Sequence, residues 1–118
     1  MIGTYAHQGS QQRSIGCMDY EELAVTNGAI VGLTAAKIRL ATYGFVRISG
    51  GNVRSTIHPG GVPQTGVAPA GVGFVLFDGD NFVLNKVELN NFAAIAEGAT
   101  NGRLHVAYYG MNAPSEAI

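Results

Sequence analysis

The chain has 118 residues, of which 47% are hydrophobic and only 13% charged, with a net charge of −1. That length points to one domain, and that composition excludes a disordered chain and gives no global sign of nucleic-acid binding. The single cysteine, Cys17, excludes an intrachain disulfide and with it a small secreted scaffold stapled by bridges.

No apolar stretch approaches the roughly 18 residues that span a bilayer. The opening MIGTY has neither the basic region nor the apolar run of a signal peptide, so a soluble protein made in a cytosol is expected. Acidic residues are absent from Leu23 to Phe77, a stretch that carries Lys37, Arg39, Arg47 and Arg54. Two readings stand: scattered solvated cations, or a weakly basic face that meets an acidic partner.

In chain order, residues 1–20 read as an extended arm, because small and polar residues dominate and no period is sustained. DYEELAV (19–25) fits either one helical turn or a strand. Asn27-Gly28 marks a turn, and AIVGLTA follows as a buried type of strand. AKIRLA alternates, with Ile38 and Leu40 opposite Lys37 and Arg39. YGFVRIS does the same, with Val46 and Ile48 opposite Phe45 and Arg47. Strict alternation is the mark of a half-buried strand. GGNVRSTI turns at Gly50-Gly51 and starts a strand at Val53. Asp78-Gly79 between VGFVLF and NFVLN predicts a hairpin. KVELNNFAAIAEG fits a short helix, but its asparagines and Gly98 favour strand, turn, strand. TNGRLHVAYYG closes with a strand that sets Leu104, Val106 and Tyr108 against Arg103, His105, Ala107 and Tyr109. The sum is an all-β chain, an antiparallel β-sandwich or barrel over residues 21–118.

The segment Ile57–Gly73 holds five glycines and three prolines and no charged residue. It is no phosphate cradle, because the chain has no Gly-Lys pair to reach a phosphate. Its glycines remove the rigidity that a polyproline ligand needs. Two readings remain: a structural crossing between sheets, or a semi-rigid contact loop at a sheet edge or subunit interface. Asp78-Gly79-Asp80 lacks the further oxygen ligands of a calcium loop. His7, His58 and His105 show no metal-ligand spacing, and no serine sits in a nucleophile elbow. Neither a cofactor nor an enzymatic activity is therefore expected. Most of Phe74, Phe77, Phe82, Phe92, Tyr108 and Tyr109 are expected in the core.

From Leu33 onward the order of features resembles small tailed-bacteriophage virion proteins of the capsid cement (head decoration) family. The matching positions are Arg54 closing a strand, Pro63 with Thr65 in the loop, Gly79-Asp80, Leu89 with Phe92 and Ile95, and Leu104, Val106, Tyr108 and Tyr109. The acid that often flands the arginine in such proteins is missing, since Val53 and Ser55 flank Arg54. The resemblance implies a jelly-roll-like sandwich on the outer surface of a phage head. It would bridge capsomers of the major capsid protein as a homotrimer, or as a homodimer, without nucleic acid or membrane. Tyr5, Arg13, Arg54, His58, Pro59, Pro63, Thr65 and Pro69 are the expected interface residues. The alternative is a receptor- or carbohydrate-binding sandwich from a tail tip or fibre, using Tyr5, Tyr43 and Tyr109 with Asp78 or Asp80.

Overall fold

The computed structural model describes residues 14–63 and 73–111. Among them the elements run β1 (Ile15–Val25), β2 (Val31–Gly32), α1 (Ala35–Ile38), β3 (Tyr43–Ser49), β4 (Val53–Thr56), β5 (Phe74–Leu76), β6 (Asn81–Asn85), α2 (Lys86–Asn91), β7 (Ala93–Ala96) and β8 (Gly102–Met111). The strands form two four-stranded antiparallel sheets, ordered β1-β8-β3-β6 and β2-β7-β4-β5. Chain neighbours therefore alternate between sheets at several corners.

Alternation in β3 and β8 does what its period requires. Val46, Ile48, Leu104, Val106 and Tyr108 are fully buried, while Phe45, Arg47 and Arg103 are exposed. The inward side chains meet Val53, Leu76, Ala94 and Ala96 of the second sheet in one core. Each buried Val, Leu or Ile contributes about 1.5–3 kcal/mol relative to exposure. Gly44 leaves the space that Leu89 of α2 fills, since a Cβ there would lie 2.7 Å from Leu89 Cδ2.

Several expectations are corrected. AKIRLA is not a strand: Ala35–Ile38 is a single helical turn, with Ile38 buried and Leu40 61% exposed. The carbonyls at its end take a distant donor: Lys86 Nζ donates to those of Ile38, Arg39 and Ala41 at 2.8, 2.7 and 3.0 Å. KVELNN is the helix α2. Asn85 Oδ1 accepts from the Glu88 N–H and Glu88 Oε1 accepts from the Asn85 N–H, both at 2.9 Å, a complete capping box. Asn90 and Asn91 donate back to the carbonyls of Lys86 and Val87, so they stay within the helix. AIVGLTA contributes only the two-residue β2.

The Asp78–Asp80 turn exists but makes no hairpin. It carries the chain from β5 in one sheet to β6 in the other. Asp80 Oδ2 accepts from Phe77 N–H at 2.7 Å, and Gly79 takes φ +95°. Asp78 N–H donates to Asn52 Oδ1, and Asp78 Oδ1 accepts from Gly50 N–H, so this corner is bound to the one that joins β3 to β4. Residues 15–20, assigned above to an arm, belong to β1 and pair with β8 as far as Met111; residues 1–13 lie outside the described residues. Ile57–Gly73 joins β4 to β5, neighbours in one sheet, and so is no crossing between sheets; residues 64–72 lie outside the described residues.

Candidate functional site

Phe45 and Arg47 lie on the solvent side of the first sheet, and the strand registers extend that face across all four strands. One row reads Tyr20, Ala107, Phe45, Val83. Tyr20, Phe45 and Val83 are 50, 38 and 59% exposed, so the row is an apolar stripe open to water. Beside it Tyr43 and Tyr109 stack with ring centroids 5.1 Å apart and planes 2° from parallel. On its other side runs a polar row of Glu22, His105, Arg47 and Asn81.

Glu22 and His105 of this row are joined with Tyr20 and Ser49 into a hydrogen-bonded chain. Ser49 Oγ lies 2.7 Å from His105 Nε2. His105 Nδ1 lies 3.2 Å from the Tyr20 hydroxyl, which donates to Glu22 Oε2 at 2.8 Å. Arg103 Nη1 stands 3.6 Å from Glu22 Oε1. The Tyr20 hydroxyl and the charges of His105 and Arg103 hold the Glu22 carboxyl below its usual value, and the same bond to Glu22 raises the Tyr20 phenol.

A second polar group lies on the inner side of β1. Glu21 accepts from the buried Tyr108 hydroxyl, from Thr34 Oγ1 at 2.6 Å and from Thr34 N–H at 3.1 Å. Burial first, and then this carboxylate, push the Tyr108 phenol far up. The group ties β1, β8 and the start of α1 together, with Tyr108 buried and Thr34 at the surface, so its role is structural. The cleft between β1 and α1 is lined by Met18, Asp19, Ala36, Lys37, Leu40 and Ala41, and its charges pair at 2.9 Å. Among the described residues no three His, Cys, Asp or Glu side chains gather as a metal cluster.

The expected interface residues scatter. Arg54 makes a two-pronged pair with Glu97, 2.9 Å on each prong, and donates to the Gly73 carbonyl at 3.1 Å. The acid missing beside Arg54 in sequence thus arrives just beyond β7, and this guanidinium is engaged within the fold. Pro63 is fully buried. His58 and Pro59 are exposed in a turn closed by Gly61 N–H on the His58 carbonyl. Tyr5, Arg13, Thr65 and Pro69 lie outside the described residues. The sugar-site candidates do not converge: Tyr43, beside Tyr109, pairs with Asn85, five residues along the chain from Asp80, about 17 Å in an extended strand, and both Asp78 and Asp80 are occupied by turn bonds. Among the aromatics, Phe92 and Tyr108 are buried, but Phe74 and Phe77 are 44 and 57% exposed. Tyr20, Glu22, Ser49 and Val83 carry no motif. Their signal is the outward phase of each strand, and only the register joins them. No family model, curated protein or solved structure matches this chain.

Proposed function

We propose that the chain is a jelly-roll sandwich serving as a structural virion protein, a capsid cement that binds the outside of a phage head. The strand order favours the jelly roll: β1 lies beside β8, β2 beside β7, β3 beside β6 and β4 beside β5, the folded-over path of two Greek keys. The observation that carries the binding role is the exposed row Tyr20, Ala107, Phe45, Val83 on the outer face of the first sheet. Apolar side chains left in water across four strands lower the free energy when another surface covers them. The resemblance supplies the occupant, the major capsid protein, with sister copies in a homotrimer or homodimer completing the assembly. Binding only the expanded shell would stabilise that form by mass action, and many symmetric copies would add modest contacts together.

The test is the copy number in purified virions together with binding of the chain to isolated heads. A number near that of the major capsid protein, with binding lost in Phe45→Asp, is the expected result. A chain confined to tails, or heads that bind Phe45→Asp as well as the parent, overturns the proposal.

A further inference from the structure

The hydrogen-bond chain across the polar row fixes a proton. The Tyr20 hydroxyl has one hydrogen, and it goes to the Glu22 carboxylate, which can only accept. The oxygen of Tyr20 is therefore left to accept from His105 Nδ1. Glu22 Oε2 also lies 3.5 Å from the same Nδ1, a second acceptor facing that nitrogen. Two acceptors at Nδ1 place the proton of the neutral ring there and leave Nε2 bare. The remaining partner of Nε2 is Ser49 Oγ at 2.7 Å, so the serine hydroxyl donates to it.

A serine bound to a bare imidazole nitrogen, with the imidazole oriented by a carboxylate through a phenol, has the connectivity of an activated nucleophile. Here it is built from three strands: β1 gives Tyr20 and Glu22, β8 gives His105 and β3 gives Ser49. The site is open to solvent, with the His105 side chain 27% exposed. Arg47 is exposed on the same face as Ser49, two residues away, or about 6.6 Å along the strand, and makes no ion pair among the described residues.

We propose that Ser49 is an acylable nucleophile and that the outer face of the first sheet accepts carboxylic esters there. In the step, Ser49 Oγ bonds to the ester carbonyl carbon and its proton passes to His105 Nε2. The carbon–alkoxide bond then breaks, the leaving alcohol takes that proton, and an acyl-serine remains for water to cleave. Tyr20 belongs both to the apolar row and to this hydrogen-bond chain, so a shell seated on the face would cover the site; the assay on the free chain reads the activity apart from shell binding.

The probe is 4-nitrophenyl acetate with the full chain, followed by peptide mass spectrometry. The expected result is a burst of about one nitrophenolate per chain with the acetyl group on Ser49. The burst is absent from Ser49→Ala and His105→Gln and about tenfold slower or more in Tyr20→Phe, which removes the link between ring and carboxylate. Circular dichroism confirms that each variant is folded. Acetyl found only on Lys37 or Lys86, or a burst that survives Ser49→Ala, overturns the proposal. A second reading needs no turnover: nitrogen–proton correlation of the His105 ring is expected to show the Nδ1–H form near neutral pH or above. Finding the neutral ring protonated on Nε2 overturns it as well.

Discussion

Thr56 sits at the end of β4 with 1% of its surface exposed, and its Oγ1 has no hydrogen-bond partner among the described residues. A buried hydroxyl without a partner costs about 1–3 kcal/mol of desolvation. Thr56→Val removes that cost and adds a buried methyl group worth up to about 0.8 kcal/mol. The site is close-packed, because a Cβ on Gly61 would come within 2.7 Å of Thr56 Oγ1. The larger methyl group therefore recovers only part of the gain. The expected net is a stabilisation of about 1–2 kcal/mol, or roughly 4–8 °C in Tm for a domain of this size. Thermal unfolding followed by circular dichroism, with urea titration as a second measure, reads it directly. Thr56→Ala is the control: it removes the hydroxyl but leaves a void, so it should fall below Thr56→Val. A Thr56→Val variant less stable than the parent by 1 kcal/mol or more would refute the reasoning, because the hydroxyl would then be making a bond worth more than its burial costs.

Gly44→Ala should cost about 1–3 kcal/mol, since its methyl group meets Leu89 Cδ2 at 2.7 Å; adding Leu89→Ala should cost less than the two single changes summed, which a double-mutant cycle in urea measures. Arg54→Ala should lower Tm more than Arg47→Ala, because only Arg54 forks onto a carboxylate; equal melting points would count against that fork as a stabiliser. Asp19 and Glu22 have folded pKa values below their ordinary 3.8 and 4.5, held down by Lys37 and Tyr20 respectively. Their stabilisation is present above those ordinary values and lost as pH falls through the lower folded ones, so Asp19→Asn with Glu22→Gln should flatten the acid limb of a stability–pH curve. Tyr108 behaves oppositely: its folded pKa is raised from 10.0, so its contribution is complete below pH 10 and declines above it. Tyr108→Phe should weaken the alkaline loss even though it lowers stability at neutral pH.

What the sequence made legible was phase. YGFVRIS and RLHVAYY alternate strictly, and both the core residues and the outward His105 and Phe45 follow from that period. KVELNN fitted a short helix, but its two asparagines pulled the reading toward strand and turn; their side chains instead bond back into the helix, and the cap made by Asn85 and Glu88 was not read. AKIRLA failed for a different reason. Its helical turn is completed by Lys86, a residue remote in sequence, and local alternation carries no trace of such a donor. The Asp-Gly turn was right in chemistry and wrong in topology, because a tight turn does not say whether the next strand stays in the same sheet. The Ser49–His105–Tyr20–Glu22 chain was invisible for the same reason: its members are ordinary strand residues until register aligns them.

The order of the first sheet also dictates when it can be completed. β8 lies between β1 and β3 and pairs with both, Leu104 opposite Leu23 on one side and opposite Ile48 on the other. It is the last of the eight strands to be synthesised. Until it emerges from the ribosome, β1 has no neighbour in its sheet, and the β3–β6 ribbon shows an open edge beside Val46 and Ile48. A nascent chain paused before Gly102 would expose backbone and apolar side chains that recruit any other strand. Such long-range pairing is slow to close. The protein therefore meets its greatest risk of aggregation during synthesis, in the interval that ends when β8 inserts.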